Sequence, residues 1–231
     1  MRITIDIMKK NYGQFLKTGT ERPAKRLRMQ IIPAGFLCAT PGGEAHLFFR
    51  GIAMTLKTCL MDEAAVRRAI VRISHEILEK NRGPGGLCLV GVQRRGTPIA
   101  QMIRDSIRQF DGADIPCGNI DISYYRDDLS PEHESPLWKK AALPFDVEGK
   151  TVVIVDDVIF TGRTARAAME AVISCGRPRK IQLAVLVDRG HRELPIRADY
   201  VGKNVPTSRR ELIEVNIPPF EKDMRVCLME M

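Results

Sequence analysis

The pattern of apolar and polar positions changes character at Asp62. Over "DEAAVRRAIVRISHEILEKNRG", Val66, Ile70, Ile73, Ile77 and Leu78 fall on one helical stripe. Asp62 stands where an N-cap belongs and Gly83 where a helix stops, which predicts a helix between them. The chain then alternates. "LCLVGV" is a short apolar strand, "TPIAQMIRDSIRQF" a helix, "CGNIDISYY" a strand and "TVVIVDD" another. "GRTARAAMEAVISCG" is a helix closed by Gly176, and "KIQLAVLVD", "ELIEVNI" and "RVCLME" are further strands. Strands without strict alternation, separated by helices, are buried on both faces. The expectation is an α/β fold with a mostly parallel central sheet flanked by helices.

Before Met54 no helical or alternating pattern is sustained. Residues 1–53 hold nine Lys/Arg against three Asp/Glu, whereas residues 54–231 hold 27 against 25. The formal net charge of +8 invites a nucleic-acid partner, but most of it sits in this first segment. Residues 1–53 read as a disordered extension, or as a start assigned too far upstream with Met54 or Met61 the true one. A functional basic arm is the alternative. Residues 54–231 read as the folded domain.

No apolar run reaches the ~18 residues needed to span a bilayer. "IIPAGFLCA" is interrupted by Pro33 and Gly35 and lies too far from the N-terminus for a signal peptide. The six cysteines are scattered with no Cys-x-x-Cys. They read as reduced, core-type residues of a cytoplasmic protein, not as a disulfide framework or zinc site.

Chemistry concentrates in "TVVIVDDVIFTGRT" from Thr151. An apolar strand ends in two adjacent carboxylates, Asp156 and Asp157, at the end of the sheet where open α/β folds bind ligands. Gly162 lets backbone approach a ligand, Thr161 and Thr164 add hydroxyls, and the following helix presents free N–H groups and a positive dipole end. That cradle suits a phosphate, and the paired acids suit the adjacent hydroxyls of a sugar. The ligand predicted is a ribose 5-phosphate. Neither a Walker loop nor Gly-x-Gly-x-x-Gly is present. The bland alternative is a capped turn with two solvated acids.

"VVIVDDVIFTGRT" resembles the phosphoribosyl-pyrophosphate (PRPP) motif of type I phosphoribosyltransferases. "DEAAVRRAIVRISHEILEKN", "YRDDLS" and above all "LVDRGHRELPIRADYVGKN" resemble one subfamily, the PyrR family of pyrimidine operon regulators and uracil phosphoribosyltransferases. The similarity runs from about Leu60 to about Val215. It implies a type I phosphoribosyltransferase fold with a small hood and a flexible lid loop, Mg²⁺ held mainly by PRPP, and a homodimer or larger homo-oligomer. The implied reaction is uracil plus PRPP giving UMP and diphosphate. Asp156 and Asp157 then hold the ribose hydroxyls, while Thr161, Gly162, Arg163 and Thr164 hold the 5-phosphate; Val158, Ile159 and Phe160 complete that segment. Arg94 and Arg95, in the loop "GVQRRG", face the pyrophosphate, which arginine grips with two bonds. Arg95 is the stronger transfer, because the family often has Thr-Arg where this chain has Arg94-Arg95; Arg94 reads equally as a solvated loop charge. Arg126 closes over the pyrophosphate from the lid. Asp127 and Asp128 act through Mg²⁺ or, the preferred reading, fix the loop, and His133 and Trp138 read as exposed lid residues, with direct ligand contact the alternative. Arg189 donates to a uracil carbonyl and backbone near Ile213 completes that edge; the alternative for Arg189 is a salt bridge to Asp188 or Glu193.

The same resemblance implies binding of the pyrimidine operon's leader mRNA, favoured by UMP. The candidates are Arg72 and His75 on the first helix, and His191, Arg192, Arg197 and Lys203 near the end. A charged, solvated outer face explains them equally without the resemblance. Two readings therefore stand: a UMP-sensing RNA-binding attenuator that also forms UMP, or a purely enzymatic salvage transferase, for uracil or, less in keeping with the motifs, a purine.

Overall fold

The computed structural model describes residues 52–125 and 141–231, together with the backbone of three short earlier strands. The chain divides into two units, Met1–Arg50 and Gly51–Met231. In the first, β1 (Gln30–Ile32), β2 (Gly35–Ala39) and β3 (Ala45–Phe49) pair antiparallel in chain order. Strands of three to five residues are too short to establish a visible period, and the sequence predicts none of them.

The second unit opens with β4 (Ile52–Met61) and α1 (Glu63–Asn81). Asp62 caps α1, its Oδ1 accepting from Ala65 N–H at 2.7 Å. The helix ends at Arg82, which takes the left-handed conformation at φ 59° one residue before Gly83. Then follow β5 (Leu87–Val92), α2 (Gly96–Asp111), β6 (Cys117–Ile120) and a 3-10 turn at Ser123–Tyr125. Next come β7 (Thr151–Ile159), α3 (Arg163–Ser174), β8 (Lys180–Asp188), β9 (Tyr200–Asn204), β10 (Glu211–Asn216) and β11 (Arg225–Glu230).

Five strands make a parallel sheet in the order β6-β5-β7-β8-β9. Side chains alternate across it. Leu87, Leu89, Val153, Val155, Ala184 and Leu186 face the core built with α1 and α2. Cys88, Val90, Val152, Ile154, Leu183 and Val185 face the core built with α3. Burial on both faces is why these strands read as unbroken apolar runs. A second, antiparallel sheet runs β4-β11-β10 and forms the hood beside the first core.

Three predicted boundaries move. "CGNIDISYY" is strand only to Ile120, after which Asp121 accepts from Ser123 and starts the 3-10 turn. β7 runs two residues past Asp157, to Ile159. α3 stops at Ser174, before Gly176. β4 and β9 go unpredicted; β9 is five residues, with only Tyr200 fully buried.

Candidate active site at the carboxyl ends of β5 and β7

The sequence places two helix N-termini at one end of the parallel sheet. β5 runs into α2 through Gln93, Arg94 and Arg95, and β7 runs into α3 through Phe160, Thr161 and Gly162. Neither helix has a side-chain N-cap bond. Thr97 N–H donates to Arg94 O at 3.3 Å, Pro98 has no N–H, and Arg163 N–H donates to Thr161 Oγ1 at 3.3 Å. What each helix offers an anion is therefore mainly its positive dipole end, twice, on adjacent strands. Gly96 makes the first approach possible: a Cβ there would lie 2.3 Å from the Val155 carbonyl oxygen and 3.2 Å from Asp156 Cα. Gly162 makes the second turn, at φ 94°.

Asp156 and Asp157 emerge where β7 leaves the core. Residues 151–155 are buried and 156–158 half-buried. Each carboxylate folds along the chain, Asp156 accepting from Asp157 N–H at 2.9 Å and Asp157 from Val158 N–H at 2.8 Å. Burial pushes both above the usual carboxylate range. Repulsion from Asp157 adds to the rise at Asp156, whereas the Arg95 guanidinium moderates it at Asp157. The pair thus has two environments. Asp156 lines a cleft of about 370 Å³ shared with Val158, Ile159, Phe160, Thr161, Gly162, Arg163 and Thr164. Asp157 faces the field of Arg95.

The cleft is tied together locally. Thr161 O accepts from Glu193 and Leu194 N–H at 2.9 and 3.0 Å, and Arg163 Nε pairs with Glu193 at 2.8 Å. Arg95 is half-buried and pairs through Nη2 with Glu221 Oε1 at 2.6 Å. Its neighbour Arg94 is exposed. Sequence reading missed Glu221, which lies 126 residues from Arg95 with no motif to flag it.

Arg189 makes neither salt bridge offered as its alternative: Asp188 pairs with Arg192, and Glu193 with Arg163. It is 5% exposed, donates through Nε to Thr207 Oγ1 and through Nη2 to Glu211 O, and stacks 4.0 Å from the Phe160 ring centroid. Nη1 has no hydrogen bond among the described residues, which leaves a donor beside the end of β7, where Arg189 N–H bonds Ile159 O. Ile213 is buried in β10, which packs against β7.

The RNA candidates fall into two groups. Arg72 donates to Val201 O and Gly202 O, and Lys203 to Leu60 O, so these two lie on the α1–β9 side, whereas His75 faces α2. His75 stacks on Phe110, ring centroids 3.9 Å apart. His191 and Arg192 lie by the cleft instead. His191 bonds Thr207 O and meets Phe160 edge-on, while Arg192 spends its donors on Phe160 O, Ile196 O and Asp188. Arg197 is exposed. The lid residues Arg126, Asp127, Asp128, His133 and Trp138 lie outside the described residues. The ends of that segment are anchored on α3. Tyr125 OH bonds Ser174 Oγ at 2.6 Å and Ala141 N–H at 3.4 Å, and Arg166 donates to Tyr125 O.

The phosphoribosyl transferase domain family matches residues 60–217. Proteins called "Bifunctional protein PyrR" are close relatives. That of Caldicellulosiruptor bescii is 56% identical over 172 residues, 74% of this chain and 94% of its own. That of Clostridioides difficile is 56% identical over 177 residues, 77% of this chain and 100% of its own. Among solved structures, the hypoxanthine phosphoribosyltransferase of Trypanosoma cruzi superposes with a TM-score of 0.60 at 19% identity. That likeness covers 76% of this chain and 97% of the other, and at such identity shows the fold alone. The pair of helix N-termini flanking two strand-end carboxylates is the architecture of a type I phosphoribosyltransferase, and with these relatives the chain belongs to the PyrR family.

Proposed function

We propose that this protein forms UMP and diphosphate from uracil and PRPP, and that it uses the same site as a UMP sensor while binding the leader mRNA of the pyrimidine operon. One observation carries the catalytic half. Asp156 and Asp157 stand between two helix N-termini whose N-cap residues, Arg95 and Gly162, make no side-chain cap bond, so one ligand with a phosphate at one end, a diphosphate at the other and a diol between them satisfies all three features.

Displacement at the ribose C1 builds positive charge on the sugar and negative charge on the leaving diphosphate. The protein's task is therefore to orient and to neutralise. Asp156 and Asp157 accept from the ribose hydroxyls and hold C1 in line. Thr161, Gly162, Arg163 and Thr164 hold the 5-phosphate at the start of α3. Arg95, with Arg94 and the positive dipole end of α2, takes the diphosphate, and Arg126 joins from the lid. Arg189 donates to a uracil carbonyl, with backbone near Ile213 at the other edge.

Mg²⁺ suits this donor set as a ligand of the substrate. Among the described residues no three metal-ligating side chains converge, and Mg²⁺ commonly keeps waters and substrate phosphates around one or two carboxylates. When bound, it neutralises charge on the diphosphate oxygens, and Asp156 and Asp157 are the carboxylates beside it.

Support for the regulatory half is the relatives' name, with Arg72, which also pairs with Glu76, and Lys203 on the α1–β9 side and His75 on the α2 side of the same helix. His191, Arg192 and Arg197 extend the candidate contacts. His191 and Arg192 touch Phe160 and Asp188 at the end of the base-holding strands, so a bound nucleotide and this surface share one segment. We place the protein in the cytoplasm as a homodimer or larger homo-oligomer. Five described cysteines are free, and no helix among the described residues is long and apolar enough to cross a membrane.

A competition assay tests the reading. With PRPP and equal uracil, hypoxanthine and guanine, UMP is the expected product; faster turnover of either purine overturns the uracil assignment.

A further inference from the structure

Arg95 is the one basic side chain of the β5–α2 loop that the fold holds half-buried. Its guanidinium has a side-on edge, Nε and Nη2, that grips a phosphate with two parallel bonds. That edge is in use already, and badly. Nη2 is 2.6 Å from Glu221 Oε1, while Nε is buried with no hydrogen-bond partner among the described residues. A carboxylate able to fill both positions fills one, because its other oxygen is committed elsewhere: Glu221 Oε2 accepts from Ile217 N–H at 3.0 Å. Glu221 is thus fixed to its own turn, which also closes through Glu221 N–H to Ile217 O at 3.2 Å. The carboxylate stays in place whether or not Arg95 stays with it.

The surroundings set up a competition for Arg95. Burial alone would lower the Arg95 pKa, but the bond to Glu221 and the charges of Glu221, Asp157 and Glu214 raise it. Burial pushes Glu214 above the usual carboxylate range, with Arg225 and Arg95 moderating the rise and Glu221 adding to it. One arginine therefore serves three carboxylates besides its future ligand. An arriving diphosphate must take Nη2 from Glu221 and then sit near a carboxylate that has lost its partner.

We propose that Glu221 is a displaceable counter-ion for Arg95: it occupies the phosphate-gripping edge in the free protein, competes with the diphosphate for it, and so weakens PRPP binding and eases diphosphate release. Glu221 acts through Arg95 and is a positioning residue. The inference rests on the proposed phosphoribosyl transfer, in which Arg95 meets the diphosphate.

The test is steady-state kinetics of Glu221→Gln and Glu221→Asp beside the unaltered protein, with thermal midpoints to verify folding. Glutamine keeps the shape and one of the two acceptors: its oxygen can hold Ile217 N–H, while the amide turned toward Arg95 carries neither the charge nor the acceptor. The expected result is a KM for PRPP lower by about three- to tenfold and product inhibition by diphosphate stronger by a similar factor, with the Asp variant, which keeps the charge, close to the original. A KM for PRPP unchanged or raised in Glu221→Gln overturns the proposal, since a merely structural ion pair has no reason to oppose the substrate. Failure of the unaltered protein to form UMP refutes the transfer reading itself and is separately visible. Should the Gln variant not fold, carboxyl ¹³C NMR of the unaltered protein decides: the Glu221 signal moves on adding diphosphate if it is displaced, and its constancy while diphosphate binds overturns the proposal.

Discussion

Asp156 and Asp157 hold their protons more tightly in the folded protein than in the unfolded chain, where an aspartate titrates near ~3.9. Stabilisation by the protonated forms is complete below that unfolded value and is lost as pH rises through the raised folded values. As pH rises from there toward neutrality the pair therefore works increasingly against the stability of the free protein. Replacing both with Asn should raise the thermal midpoint of the free protein at pH 7, by the equivalent of about 1–2 kcal/mol. Calorimetry as a function of pH checks the sign, because the gain should vanish near ~pH 4. The same double variant should lose PRPP affinity by about tenfold or more, measured by titration. A midpoint that falls at pH 7, or unchanged PRPP binding, contradicts the account of the pair as a ribose-holding group kept at the expense of stability. The thiols tell a simpler story. Burial pushes Cys88, Cys117 and Cys227 up to about 11, whereas Cys59 on β4 is exposed. Alkylation at pH 8 should mark Cys59 well before those three, as peptide mapping would read directly.

The β5–α2 and β7–α3 turns depend on close approach. Gly96 brings α2 against the carbonyl of Val155, one residue before Asp156, so a methyl group there has to move either the helix or the strand. Gly96→Ala should cost about 3 kcal/mol and weaken PRPP binding together, read by denaturant unfolding and titration. Retained affinity in a destabilised protein would separate the turn from the site. These elements were also the most legible in the sequence. "LCLVGV" and "KIQLAVLVD" coincide with β5 and β8 because burial on both faces leaves an uninterrupted apolar run. β4 is not legible because its exposed positions include Leu56 while its hood pairing depends on β11, far along the chain, as Leu56↔Met229 shows. β9 is short and mostly half-exposed. The β7 motif announced Asp156 through Thr164 as one segment. Its contacts with Glu193 and Phe160 with Arg189 join distant stretches, and no spacing rule encodes them. Glu221 was invisible for the same reason.

At the scale of the molecule, the division at Arg50/Gly51 leaves the whole parallel sheet and the hood in one unit. A chain beginning at Gly51 should fold and form UMP as the longer chain does, and a start at Met61 should not. The latter removes β4, whose register with β11 runs from Val226↔Met61 to Glu230↔Thr55, and strips cover from Met229 and Cys227. Circular dichroism and UMP assays on the two truncations check this; equal behaviour of both contradicts the hood's place in the fold. Electrostatics belong to this scale as well. Beyond residue 53 the two charge signs nearly balance, so RNA affinity of that part depends on local clustering of basic side chains, with Arg72, His75, His191, Arg192, Arg197 and Lys203 the candidates, and should fall with salt. The measurement that tests the joint account most directly is a gel shift of the purified protein on the leader mRNA of its own pyrimidine operon, at fixed salt, with and without UMP. Tighter binding with UMP is the predicted result, one site serving as catalyst and sensor. No binding in either condition, from a protein that still forms UMP, would contradict it and leave a salvage enzyme with a solvated basic face.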